Sequence, residues 1–297
     1  MVLKLDIDPR PRIEYLEIVS HKLVATKFMG DYTSVFKGRG IMFESYRDYS
    51  QSDDASLIDW KATMRSGKPM VKEYSEEHNL EIFFLVDASQ TMVFGSQKRL
   101  KHEYAAELVS SMAFAMLERG ESVGVGLFSD TLKGFLAPER GIVQYRRILH
   151  HLTNPANYDG PCNFAEAMRM CLQRLRPNTF VVLVTDAVGW SGDWQMPLKV
   201  ANKKFEVIAM LVRDPRDDNL PEGVGHVMVE NSVTGQQMLL DTDAIREDYA
   251  RAAKEIKERN LKVLLEGGVA DVPILMTDQD FIKPVIAFFE RRKDKWR

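Results

Sequence analysis

"LEIFFLVDASQT", residues 80–91, begins as an apolar run broken only by Glu81 and ends with oxygen-bearing side chains at alternate positions. Leu80–Val86 has the length and near-continuous hydrophobicity of a strand buried on both faces of a parallel sheet. Asp87, Ser89 and Thr91 therefore leave the tip of that strand together. Three such side chains can serve as an enzyme nucleophile with helpers, as ligands of a hard metal ion, or as a plain capped turn. The rest of the chain has to decide among these.

Outward from this stretch the apolar runs recur at regular intervals. A helix is expected near 98–119, where Leu100, Tyr104, Leu108, Met112 and Met116 form one stripe and Gly120 marks the stop. "SVGVGLFS" (122–129) reads as the next strand, with its Gly-x-Gly permitting close backbone packing. A turn region runs through "APERG", and helices follow near 142–152 and 164–175. "TFVVLVTD" (179–186) and "FEVIAMLV" (205–212) are further buried strands. "GHVMVENSVTGQQMLLDT" has the form of a hairpin. A helix at 243–260, a strand "KVLLE" and a helix at 279–292 are expected to close the chain. Strands alternating with helices predict an α/β fold with a mainly parallel, doubly wound sheet.

Upstream, 12–26 carries helical spacing after Pro9 and Pro11, and 32–77 is polar, Gly-punctuated and rich in both charge signs. Short strands and ordered loops are expected in the latter. The division expected is an N-terminal helix and charged segment over 1–78 and a main α/β domain over 79–297.

Composition excludes several classes. The 297 residues are 45% hydrophobic and carry a net charge of −3, so a substantial core is expected and no basic field points to nucleic acid. Two cysteines, Cys162 and Cys171, argue against a disulfide framework. On one helix they would stand about 13 Å apart. The start of the chain lacks a signal-peptide pattern, and no stretch approaches a membrane span, so a cytoplasmic protein is expected, free or peripheral to a membrane-bound partner.

In such sheets ligands sit at the carboxyl ends of the strands. Asp87 and Asp186 both end apolar runs there, and "GPCNF" (160–164) lies between them in sequence. Convergence of these loops would gather two carboxylates, the Ser89 and Thr91 hydroxyls and the Cys162 and Asn163 side chains. Hard oxygens suit Mg²⁺; helix capping by Ser89, Thr91 and Asp186 accounts for the same residues. An enzymatic alternative is a metal-dependent phosphatase of haloacid-dehalogenase type using Asp87. That chemistry usually needs a second carboxyl two residues on as general acid, and Ser89 stands there. No phosphate loop, HExxH or GxSxG motif is present.

"DASQT" resembles the D-x-S-x-S loop of von Willebrand factor A domains. The block "GRGIMFESYRDYSQSDDASLIDWKATMRSGKPMVKEYSEE" (38–77) is similar to the signature of the bacterial family known as domain of unknown function 58, as is "DPRDDNLP" further on. The resemblance implies a von Willebrand A-like, Rossmann-like fold and binding rather than catalysis. It implies a divalent ion, Mg²⁺ or else Mn²⁺ or Ca²⁺, at an adhesion site formed by Asp87, Ser89, Thr91, Cys162 and Asp186. It also implies a MoxR-type AAA+ ATPase as partner in assembling or maturing a protein complex, with a client protein's Asp or Glu completing the metal shell. This sequence departs from the family pattern at two positions: Thr91 replaces a serine and keeps the hydroxyl, and Cys162 replaces a threonine with a soft, weak ligand. Within the 38–77 block, Arg47, Asp53, Asp54, Asp59 and Arg65 are candidates for a partner-binding surface; the same charges would also serve to lock polar loops in place, with Trp60 and Tyr49 packing between them.

Overall fold

A computed structural model of the protein describes residues 42–50, 54, 56, 58–75, 80–190, 194–231, 234–269 and 271–295. The helix expected over 12–26 lies outside these residues, as does Asp53. Two compact units are present, one spanning Phe36–Asn79 and the other containing Leu80–Arg297.

In the smaller unit β1 (Met42–Asp48) pairs antiparallel with β2 (Met70–Ser75), and helix α1 (Trp60–Ser66) lies between them in the chain. Asp59 caps α1, its Oδ1 accepting the Lys61 and Ala62 amides at 2.9 and 3.1 Å. Gly67 ends the helix in the left-handed region at φ +72°, which a side chain would resist. Thr63 Oγ1 then accepts the Met70 amide, joining α1 to the start of β2.

The larger unit is built on a six-stranded sheet. Its elements in chain order are β3 (Glu81–Asp87), α2 (Lys101–Glu118), β4 (Ser122–Phe128), β5 (Leu132–Glu139), α3 (Ile142–Thr153), α4 (Phe164–Arg174), β6 (Phe180–Thr185), α5 (Gln195–Lys204), β7 (Glu206–Arg213), the short α6 (Pro215–Asp218), β8 (His226–Glu230), β9 (Gln237–Asp241), α7 (Thr242–Glu266), β10 (Ile274–Met276) and α8 (Ile282–Lys295). The sheet order is β10-β7-β6-β3-β4-β5, parallel throughout except for β5, which runs antiparallel to β4. β8 and β9 form a separate antiparallel hairpin.

The expected α/β class and mainly parallel sheet are therefore present. Burial explains the continuous apolar runs: Ile82 through Val86 and Val181 through Val184 are all essentially inaccessible. Alternate residues divide between the two faces. Phe83, Leu85, Val181, Leu183, Val207 and Ala209 join Phe164, Met168, Leu198 and Leu264 in one core cluster. On the opposite face α2 and α3 pack on one another and on β4.

Two elements differ from expectation. "KVLLE" is not a strand but the last turns of α7, which runs uninterrupted for 25 residues to Glu266. No glycine or proline breaks the chain at 260–262, and Leu264 turns inward to the core cluster; the strand that completes the sheet is β10 instead. The region through "APERG" is likewise a strand, β5, placed at the sheet edge, where the missing amide of Pro138 is tolerated. Gly124 makes that pairing possible, since a Cβ there would stand 2.5 Å from the Leu136 carbonyl oxygen.

Candidate functional site

β3 lies between β6 and β4; the chain leaves β3 toward β4 and leaves β6 toward β7 on the opposite side, so the carboxyl ends of β3 and β6 flank a topological switch point. Asp87 closes β3 and Asp186 follows β6 directly, which brings the two carboxylates to adjacent strand ends. Both are wholly buried.

Asp87 organises the first loop. Its Oδ1 accepts the Ser89 amide at 3.0 Å, and its Oδ2 accepts the Thr185 hydroxyl at 2.6 Å and the Cys162 thiol at 3.5 Å. Burial, reinforced by the charge of Asp186, pushes the Asp87 carboxyl up to about 6 despite these bonds. Ser89 Oγ and Thr91 Oγ1 lie 3.0 Å apart. The Gln90 amide donates to the Gly160 carbonyl and its side chain to Asp159, so the first loop is tied to the second.

Cys162 enters this group as a neutral thiol. Burial raises it far above the ordinary thiol range, and the negative charges of Asp87 and Asp186 push the same way. Asn163 supplies no oxygen to the cluster: its side chain caps α4 by accepting the Glu166 amide, and its own amide donates to the Ser129 carbonyl. The two cysteines are free, but they do not share a helix: Cys171 is on α4 and Cys162 lies two residues before its start.

Asp186 is held differently. Its Oδ1 accepts the Val188 amide at 2.8 Å, and its Oδ2 accepts the Lys101 ammonium at 2.7 Å. That ammonium also contacts both carboxylate oxygens of Asp217, at 3.0 and 3.1 Å, and sits 5.6 Å from the centre of the Phe94 ring. Burial alone would pull Lys101 down, but Asp186 and then Asp217 outweigh it and raise it, so the ammonium stays charged. "DPRDDNLP" explains itself here. Asp214 accepts the Ser96 amide and hydroxyl and the Thr277 hydroxyl, tying the loop before α2 to the end of β10. Asp217 grips Lys101, and Asp218 pairs with Arg213 and Lys257, while Arg213 donates to the Asp186 carbonyl.

Of the five expected site residues, hydrogen bonds link Asp87 directly to Ser89 and Cys162, and Ser89 to Thr91; Asp186 joins them through its charge. Thr185, Lys101 and Asp217 were not anticipated from sequence. Thr185 could have been suspected from its position beside Asp186 at the same strand end. Nothing local marked Lys101, which begins a helix where solvated lysines are common.

As folded, the set does not fit a resident divalent ion. Asp87 Oδ2 already accepts two donors, the second loop presents a neutral thiol, and an ammonium holds the place beside Asp186 that a cation would need. The Ser89 and Thr91 hydroxyls are hard ligands, 3.0 Å apart. Among the described residues, no group of three His, Cys, Asp or Glu side chains is arranged to hold a metal.

The candidate partner residues lie in the smaller unit. Arg47 is exposed on β1, Arg65 is exposed in the last turn of α1, and Asp54 accepts the Ser56 amide in solvent. Asp59 acts as the α1 cap, with the Tyr46 hydroxyl also donating to it at 3.4 Å. Trp60, read above as a packing residue, is 67% exposed, and Met64, one turn on, is 78% exposed.

The class the fold and site define is an α/β protein with a mainly parallel sheet and an Asp-x-Ser-x-Thr loop at its switch point. The chain belongs to the family described as "Protein of unknown function DUF58", whose model matches residues 45–259. It is similar to an uncharacterized protein of Mycobacterium tuberculosis, 26% identical over 300 residues that cover 98% of this chain and 93% of that one. An uncharacterized Mycobacterium avium protein is 32% identical over 40% of this chain and 69% of its own. Among solved structures, the conserved hypothetical protein BatB from Bacteroides thetaiotaomicron is 14% identical and covers 73% of this chain and 99% of that chain, with a TM-score of 0.46. The SpRpn10 VWA domain is also 14% identical, over 46% of this chain and 76% of that chain, with a TM-score of 0.34. No helix among the described residues is long and apolar enough to cross a membrane.

Proposed function

We propose that this protein is a non-enzymatic interaction module that works with a MoxR-type AAA+ ATPase in the assembly or maturation of a protein complex. One observation carries the binding reading. The two carboxylates at the switch point are buried and committed on every oxygen to internal donors. A phosphatase using Asp87 needs that carboxylate presented to substrate with an acid beside it; here it faces the Ser89 amide, the Thr185 hydroxyl and a thiol. The group acts as a frame that fixes the first-loop, second-loop and third-loop surfaces in one arrangement for a partner to read.

The smaller unit supplies a second contact surface. Trp60 and Met64 are exposed one turn apart on α1, with Lys61 and Arg65 beside them, and exposed Trp and Arg are the residue types that dominate interface energetics. The ATPase would dock there, with Arg47 and Asp54 setting register through charge. This reading places the work in the cytoplasm, peripheral to any membrane-bound partner. The test is binding of the full chain to a purified MoxR-type ATPase, with and without nucleotide. Trp60→Ala and Arg65→Glu should each weaken the complex at least about tenfold; an ATPase that ignores the wild-type chain, or binds both variants equally, refutes the assignment.

A second reading keeps Mg²⁺, because the Ser89 and Thr91 hydroxyls lie 3.0 Å apart at the edge of the frame. Under it a client's Asp or Glu would complete the shell of the ion. Client binding would then be lost on adding chelator and restored by Mg²⁺.

A further inference from the structure

A cation does stand at this site, and it belongs to the chain. Lys101 is 1% exposed although it is the first residue of α2, where a lysine side chain would ordinarily run into solvent. Its nitrogen is 2.7 Å from Asp186 and 3.0 Å from the nearer oxygen of Asp217, two residues brought to it from positions 85 and 116 further along the chain. Phe94 lies over it, and the backbone holds both ends of that contact, since the Lys101 amide donates to the Phe94 carbonyl at 2.9 Å. The carboxylates of Asp186 and Asp217 therefore face a fixed ammonium in the interior, with the Arg213 guanidinium a further 3.9 Å contact of Asp217.

We propose that Lys101 is the resident cation of the switch-point site, holding the Asp186 loop in the way a divalent ion would, so that the recognition surface is assembled without metal. The second loop is consistent with this division of labour. A cation-binding loop needs a hard oxygen, whereas Cys162 keeps its proton and donates a hydrogen bond to Asp87 instead. A divalent ion entering beside Asp186 would have to displace the ammonium or sit next to it with like charge and little screening. The segment that carries Asp217 and Asp218 would then serve to keep the lysine in place: Asp217 grips its head, and Arg213, paired with Asp218, donates to the Asp186 carbonyl.

This inference takes only the location of the site from the interaction reading, and its test uses the chain alone. Chelator-stripped full-length protein is titrated with Mn²⁺ at pH 7, with binding followed by electron paramagnetic resonance and calorimetry and the fold by circular dichroism. Wild type should bind no stoichiometric Mn²⁺ through the millimolar range, and its melting temperature should not respond to chelator. Lys101→Met, which strips Asp186 of its ammonium and leaves Asp217 only the longer Arg213 contact, should gain one site at least about tenfold tighter than any wild-type binding. Lys101→Arg, which keeps the charge, should gain none. If Lys101→Met does not fold, Lys101→Gln, which retains an N–H donor for Asp186, is read in its place. Stoichiometric Mn²⁺ binding by wild type overturns the proposal, as does a folded Lys101→Met or Lys101→Gln that binds none. Binding conferred by Cys162→Thr with Lys101 intact overturns it too, because the thiol would then be what excludes the ion. Loss of ATPase binding in the separate partner assay leaves all of these outcomes unaffected.

Discussion

Replacing Lys101 by methionine, Asp186 by asparagine, and both together forms a double-mutant cycle that weighs this buried pair directly. The Lys101 side chain is 2% exposed and that of Asp186 0%, with 2.7 Å between their charged atoms. Methionine keeps most of the lysine's volume, so Lys101→Met removes charge and hydrogen bonds with little cavity. It leaves Asp186 without a counter-ion in the interior and Asp217, 11% exposed, without its nearest one. Breaking one side of a buried pair typically costs about 3–5 kcal/mol. Asp186→Asn strands the lysine less completely, because Asp217 still accepts it, and should cost less, about 2–3 kcal/mol. In the double variant neither charge is left facing a missing partner, so its loss should fall short of the sum by on the order of 2–3 kcal/mol. Urea unfolding at pH 7, followed by emission of the buried Trp190 and Trp194 and by far-ultraviolet circular dichroism, measures each corner. Single losses that add to within about 0.5 kcal/mol would mean the pair is not coupled and the reasoning about the resident ammonium is wrong.

Three further outcomes are expected. Gly124→Ala should destabilise by about 3 kcal/mol or more, because its Cβ would meet the Leu136 oxygen at 2.5 Å and the Pro138 nitrogen at 2.8 Å, both backbone atoms; hydrogen exchange should show β5 losing protection first. Phe164→Ala should cost about 3–5 kcal/mol, since Phe164 is 2% exposed and stacks on Trp190 at 4.4 Å and 5°; the emission maximum of Trp190 should shift to the red. Acid should weaken the fold through Asp214 and Asp218, both held below the ordinary carboxylate value of 3.8 against the opposing effect of burial, Asp214 by bonds from Ser96 and Asp218 by bonds from Lys257 and Arg213. Their contribution is complete above that unfolded value and is lost as pH falls through the lower folded values. Asp87 has the opposite sign, because the native state takes up its proton first, near 6. Unfolding free energies between neutral pH and pH 3 should therefore fall most steeply below about 4, and Asp218→Asn should flatten that limb.

The sheet was legible because burial on both faces writes long apolar runs, and Asp87 and Asp186 were legible because each ends one. The first-loop hydroxyls could be read for the same reason, as neighbours of a strand end. Lys101 could not, since its partners lie 85 and 116 residues away and only the sheet order brings them together. The segment after β7 was hidden similarly: "DPRDDNLP" shows its acidity in sequence but not which cations it holds. "KVLLE" was misread because Val263, Leu264 and Leu265 suit a strand as well as a helix, and periodicity over five residues does not separate the two. Trp60 was misread in the other direction, because a large aromatic in a charged block suggests packing, yet α1 turns it outward.

The margins of the main sheet bear on how this molecule can associate. β10 is only three residues long, and β5 carries Pro138, Lys133 and two irregularities in its register with β4. A short margin and one interrupted by proline, charge and bulges are poor templates for adding a further strand. Through this sheet, copies of the chain should not zip together edge to edge into ribbons, even when crowded. Partners of the sheet are left to meet the ends of its strands and its helices, so association there should be decided by side chains rather than by shared backbone ladders.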